Sequence, residues 1–156
     1  ELKPRRTLKS FIAALESARE EAMRVMGHNV LAIFVAAIAI YLIEFLIFGM
    51  AMSPEQYQAI SGYSAASMAS GASRMPFGIV PPLLAAIGLS CAVKWRNKAG
   101  WMAGAVTGAI MAICFGVGVS LYSFVYGPND AAFLGVHLAH FVVSYGVAGA
   151  ILGAWK

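Results

Sequence analysis

The sequence predicts an all-α integral membrane protein, a four-helix bundle preceded by an amphipathic cytoplasmic helix at the membrane interface. Three observations predict it. Of 156 residues, 60% are hydrophobic and only 12% charged, against about a quarter charged in a soluble domain. Apolar runs of the roughly 20 residues that a bilayer requires occur four times. Basic residues flank these runs instead of forming one stripe, so they read as topology determinants and lipid-headgroup contacts. No nucleic-acid module is visible, and no nucleic-acid partner is expected.

Residues 1–28 form the head. ELKPRR opens it, and from Thr7 to Met26 the apolar positions Leu8, Phe11, Leu15, Ala18, Ala22 and Val25 recur at helical spacing. Glu16, Arg19, Glu20 and Arg24 take the other side, with Glu20–Arg24 a favourable i,i+4 pair. Gly27 is the expected stop. Such a helix lies on a membrane surface or docks on a partner. The apolar run after it is too long for a signal h-region, so no cleavable signal is expected.

Residues 29–156 form the membrane domain, with spans expected at about 29–52, 77–95, 101–126 and 131–155. Between the first two, Ser53-Pro54-Glu55-Gln56 is a capping-box start, and the rest of 53–75 is expected to be loop with a turn or two of helix. Pro76, Pro81 and Pro82 predict a bent or unwound start to span two, regular only from about Pro82. Span three carries small residues four apart, Gly104, Gly108, Ala112, Gly116 and Ser120, and span four repeats the pattern in Gly149 and Gly153. Lipid gives helices no hydrophobic reason to associate, so small residues that admit close backbone approach are the packing signal.

Charge sets the expected orientation. Lys3, Arg5, Arg6, Lys9, Arg19, Arg24, Lys94, Arg96, Lys98 and Lys156 fall on one side and only Arg74 on the other. The positive-inside rule puts both termini in the cytoplasm. Trp95, Trp101 and Trp155 would mark the inner interface, and Tyr57, Tyr63 and Tyr126 the outer one. Cys91 and Cys114 sit within apolar runs and read as small buried residues, with no disulfide between them.

Residues 30–155 resemble a family of small bacterial four-helix membrane proteins of unknown function. The glycine-rich third span entered through Ala99-Gly100-Trp101 carries the resemblance, together with the ending Tyr145-Gly146-Val147-Ala148-Gly149-Ala150-Ile151-Leu152-Gly153-Ala154-Trp155. It implies a fold class, a bacterial inner membrane and no established activity.

Ionisable residues inside spans are costly and read as functional candidates. Glu44, His137 and His140 qualify, and at about 1.5 Å per residue they share one depth. His137 and His140, three apart, share a helix face, as Tyr41 does with Glu44. Three roles are open to them: a hydrogen-bonded cluster joining spans one and four, a proton or ion relay, or a metal site of two imidazoles and a carboxylate, which suits iron or zinc. A direct or water-bridged hydrogen bond from Glu44 to one imidazole is expected. His28 is expected to contact a helix end or headgroup. No nucleophile–base pair or phosphate loop is present, so no enzyme and no cofactor is expected. The favoured function is a non-catalytic accessory or scaffold subunit that packs on other membrane helices, or on a second copy, through its glycine faces. Gly149 points away from His140, so one of these two faces is expected to meet another chain. The alternative is a small channel or transporter-like protein with an intramembrane Glu/His site.

Overall fold

The computed structural model describes residues 8–155. The basic residues Lys3, Arg5, Arg6 and Lys156 lie outside the described residues, as do the side chains of residues 19–22 and with them the expected Glu20–Arg24 pair.

The first helix, α1 (Leu8–Ala22), ends four residues before the periodicity does. Met26 and Gly27 both take positive φ, 52° and 76°, and close a tight antiparallel hairpin of β1 (Arg24–Val25) on β2 (His28–Asn29). Two consecutive left-handed residues are what a two-residue hairpin turn requires. The turn is held from outside, because the Lys94 ammonium donates to the Met26 carbonyl at 2.7 Å. Leu8, Phe11, Ile12 and Leu15 of α1 are all exposed.

Four helices are long and apolar enough to cross a membrane: Val30–Met50, Met75–Trp95, Trp101–Tyr126 and Ala131–Ala154, spans one to four. Span one begins as α2 (Val30–Glu44), capped by the Asn29 carboxamide, which accepts from the Ala32 amide at 3.1 Å. It continues as a π-helix over Phe45–Met50. The connection holds two helices, α3 (Pro54–Ser61) and α4 (Ala65–Ala72), which is more helix than expected. The Ser53–Gln56 capping box is present. The second helix starts on Ser64, whose hydroxyl accepts from the Ser67 amide. Span two opens with a 3₁₀ turn over Met75–Ile79 and becomes α5 (Val80–Trp95). The two prolines sit in its first turn, where a missing N–H costs nothing. Span three is α6 (Trp101–Met111), a second π-helix over Ala112–Val117, and α7 (Gly118–Tyr126). Span four is the single helix α8 (Ala131–Ala154).

Span four packs against the other three, most extensively against α6. Its glycine face and the ladder on span three meet each other. A Cβ on Gly104 would strike the Gly149 carbonyl, one on Gly108 the Tyr145 carbonyl, and one on Gly153 the Gly100 carbonyl. Ala112 is fully buried in the same seam, and Gly116 receives the Phe141 ring. Of the two opposite faces of span four, the glycine side is thus the one that packs on span three within the chain. Spans one, two and four enclose a dry core of Ala36, Ala37, Ile40, Ala86, Leu89 and Ala148. Away from these contacts the spans present exposed apolar side chains such as Phe34, Leu84, Ile110 and Val143. Cys114 is among the exposed residues, correcting its reading as buried; it lies off the glycine face of span three.

Candidate functional site

Two cavities lie at opposite ends of the spans, with the dry core between them. At the end carrying Trp95 and Trp155, a cavity of about 270 Å³ is walled by Arg24, His28, Asn29, Ser90, Lys94 and Asn97 among others. The His28 ring shares a hydrogen bond of 2.8 Å with the Ser90 hydroxyl, across the gap between β2 and α5. His28 thus joins two elements of the fold through a side chain within α5, where contact with a helix end or headgroup was expected. Its neighbour Asn29 supplies the cap of α2, so the hairpin turns His28 toward span two.

The cavity at the other end is larger, about 620 Å³, within the roughly 300–1,000 Å³ of small-molecule sites. Span one contributes Glu44, Phe48 and Gly49, and Met52 follows it. The connection contributes Tyr57 from α3, Met68 and Gly71 from α4, and span four contributes His137. Glu44 follows Ile33, Ala37 and Ile40 on the core-facing stripe of α2, which carries it into this wall. Its carboxylate has no hydrogen-bond or ion-pair partner among the described residues. Hydrogen bonds fix the roof: Asn129 donates to the Ser61 carbonyl and the Asp130 amide to the Ile60 carbonyl, each at 3.1 Å. Gly62, at φ 67°, lets the chain turn tightly against Pro128.

The two imidazoles, His137 in the wall and His140, sit in a cage of rings. His137 has Phe133 at 4.2 Å between centroids, Phe48 at 5.1 Å and Phe141 at 5.7 Å. His140, only 4% exposed, has Phe141 at 4.9 Å and Phe48 at 5.4 Å. The two imidazoles are 6.1 Å apart. All four ring nitrogens are buried without a hydrogen-bond partner among the described residues. The expected direct bond from Glu44 is therefore not formed: Phe48 packs on both imidazoles, and Glu44 and His137 meet only as parts of one cavity wall. Tyr41 is not part of this wall; it is 40% exposed, with its ring near Gly78 of span two. Among the described residues, no group of three or more His, Cys, Asp or Glu side chains is arranged to hold a metal, so the proposed His137, His140 and Glu44 ligand set is not assembled.

Both π-helices touch this cage. The Ala51 amide bonds to the Leu46 carbonyl, five residues back, at 2.9 Å. The added residue in the turn re-aims the side chains that follow Glu44, and Phe48 belongs to that turn. Gly49 makes room for the Phe45 ring. In span three the π-segment carries Gly116 against Phe141. Single π-turns inside α-helices occur often at functional sites. Hydropathy carries no signal for them, and sequence reasoning missed Phe48 and Tyr57 for the same reason, because aromatic residues there read as ordinary span and interface residues.

Outside the spans, two groups titrate away from their usual range. Burial raises the Tyr57 phenol, with Tyr63 and Glu44 adding to the effect, so the ring in the cavity wall stays neutral. The Ser53 hydroxyl, donating at 2.8 Å, holds the Glu55 carboxyl low. No family model matches the chain, and no curated protein or solved structure matches it.

Proposed function

We propose that the chain is a non-catalytic, multi-pass protein of a bacterial inner membrane that binds a small ligand in the cavity beneath α3 and α4. The observation that carries this reading is the wall itself: a carboxylate from span one and an imidazole from span four lie in one largely apolar cavity of small-molecule size. A pocket of that kind with a few convergent polar groups is the default binding site. This favours the alternative raised from the sequence, an intramembrane Glu/His site, over a scaffold that recruits partners through glycine faces. The glycine faces are occupied within the chain. An open channel is not supported, because Ala36, Ile40 and Leu89 pack in the apolar core between the two cavities.

In this reading the termini are cytoplasmic, as the excess of basic residues at the tryptophan end argues. The α3–α4 cavity then opens outward, and α1 lies on the inner surface with Leu8, Phe11 and Leu15 against lipid. One labelling experiment tests site and orientation together. In a background lacking Cys91 and Cys114, a cysteine at Gly71 in the cavity wall reacts with a membrane-impermeant maleimide on intact cells, and one at Ala99 reacts only after lysis. A ligand that raises the melting temperature of the purified protein slows labelling at Gly71. Labelling of both positions from the same side would refute the orientation. A stabilising ligand that never protects Gly71→Cys would refute the site.

A further inference from the structure

Resting on the cavity reading above, we propose that the α3–α4 cavity is selective for a lipophilic organic cation, an ammonium or phosphonium group carried on an apolar body. Glu44 is the only acidic residue of the wall among the described residues, and no Lys or Arg side chain among them belongs to it. Arg74 falls between the wall residues Ala72 and Met75 in sequence, but its side chain is not part of the wall. An ionised carboxylate in an apolar cavity makes a local negative potential that a cation offsets, and the low dielectric strengthens the attraction.

The rest of the wall fits the same ligand. Phe48 and Tyr57 meet edge to face, 6.1 Å between centroids at 87°, and both line the cavity. The negative face of an aromatic ring attracts a cation within about 6 Å, and rings grouped in this way are how quaternary ammonium ions are recognised. Met52, Met68 and Met75 supply flexible, polarisable thioethers, which adapt to apolar bodies of varied shape. An anion would meet Glu44 with no basic residue to offset it. A neutral apolar molecule would leave Glu44 either unpaired or protonated, and both cost free energy that a cation spares.

The full-length protein in nonionic detergent is titrated by calorimetry with benzyltrimethylammonium and with its uncharged isostere neopentylbenzene, which differ only in nitrogen for carbon. The cation binds at least about tenfold more tightly, the order expected for one partly desolvated charge contact with ring contributions. Glu44→Gln removes that advantage and leaves the isostere unchanged, and Glu44→Asp restores part of it. Tyr57→Leu weakens the cation several-fold more than the isostere. Equal affinity for the two compounds, or cation selectivity that survives Glu44→Gln in a protein whose melting temperature matches the parent, overturns the cation assignment while the cavity reading stands. If neither compound binds and neither slows labelling of Gly71→Cys, the cation assignment is overturned. The cavity reading fails only if no stabilising ligand of any class protects that cysteine.

Discussion

Near Tyr145 and Gly149, spans three and four meet backbone to backbone, with no room for a methyl group at Gly104 or Gly108. Two turns away on the same helix, His137 and His140 meet span one through rings, and all four imidazole nitrogens lack partners among the described residues. One continuous helix thus carries two kinds of contact. The first gains dispersion through close approach and leaves no polar group unsatisfied beyond the backbone. The second holds buried polar groups in an apolar cage, beside a cavity, where two neighbouring helices depart from α geometry. The glycine seam serves stability, and the ring cage gives up stability at a site. Buried polar groups without partners cost free energy and call for a functional explanation.

The largest expected effect would come from filling the seam. Gly108→Leu puts a branched side chain onto the Tyr145 carbonyl, and backbone cannot yield as a side-chain tip can. We expect a loss of about 3 kcal/mol or more, read as a large drop in melting temperature in detergent. Val106→Leu, on the exposed side of the same helix at 47% exposure, should change stability by less than about 0.5 kcal/mol. Equal behaviour of the two variants would remove the seam from its place as the stabilising half of the comparison.

The cage should respond in the opposite direction. His140→Leu replaces a buried imidazole whose nitrogens have no partner among the described residues with an apolar side chain of similar size. Removing an unsatisfied polar group returns its desolvation cost, so we expect stability to rise by about 1–3 kcal/mol. A fall in stability on thermal or denaturant unfolding would mean that the imidazole makes a hydrogen bond in the membrane. The cage would then be a structural cluster and the contrast with the seam would disappear.

Much of the frame was legible because membranes impose it. Twenty-residue apolar runs, the Ser53–Gln56 capping box and the prolines at the start of span two each reflect a local constraint, and each is found where it was read. The small-residue ladder announced close packing. It did not announce the partner, because Gly149 serves a neighbouring helix or another chain with the same chemistry. The hairpin at 24–29 was hidden because Arg24 and Val25 continue a helical period that the left-handed Met26–Gly27 turn overrides. At the site, the common depth of Glu44 and His137 was readable from counting residues. The packing of Phe48 on His137 was not, because Phe48 belongs to a π-turn. Tyr41 was misassigned for a related reason: three residues from Glu44 is still about 60° around the helix, enough to place it on the exposed side.

The smallest effect sharpens the comparison within a single turn of span four. Gly146 lies between Tyr145 and Gly149, and its amide nitrogen is part of the surface that Gly108 faces. Yet a Cβ built on Gly146 itself would meet nothing within 4 Å, because its bond points out of the seam. Backbone proximity and side-chain room are therefore separate properties at this residue. Gly146→Ala should keep the seam intact and reduce the backbone freedom of the unfolded chain, while adding a better helix former. Both effects are stabilising, by roughly 0.5–1 kcal/mol together. Gly149→Ala, three residues on, should instead destabilise, since its methyl would press on the Gly104 carbonyl. Melting temperatures of the two alanine variants in one detergent would check this, with opposite signs expected. If Gly146→Ala were as damaging as Gly149→Ala, the seam would be wider than the contacts of Gly104, Gly108, Gly149 and Gly153 define, and the boundary between the two regions of span four would have to move toward His140.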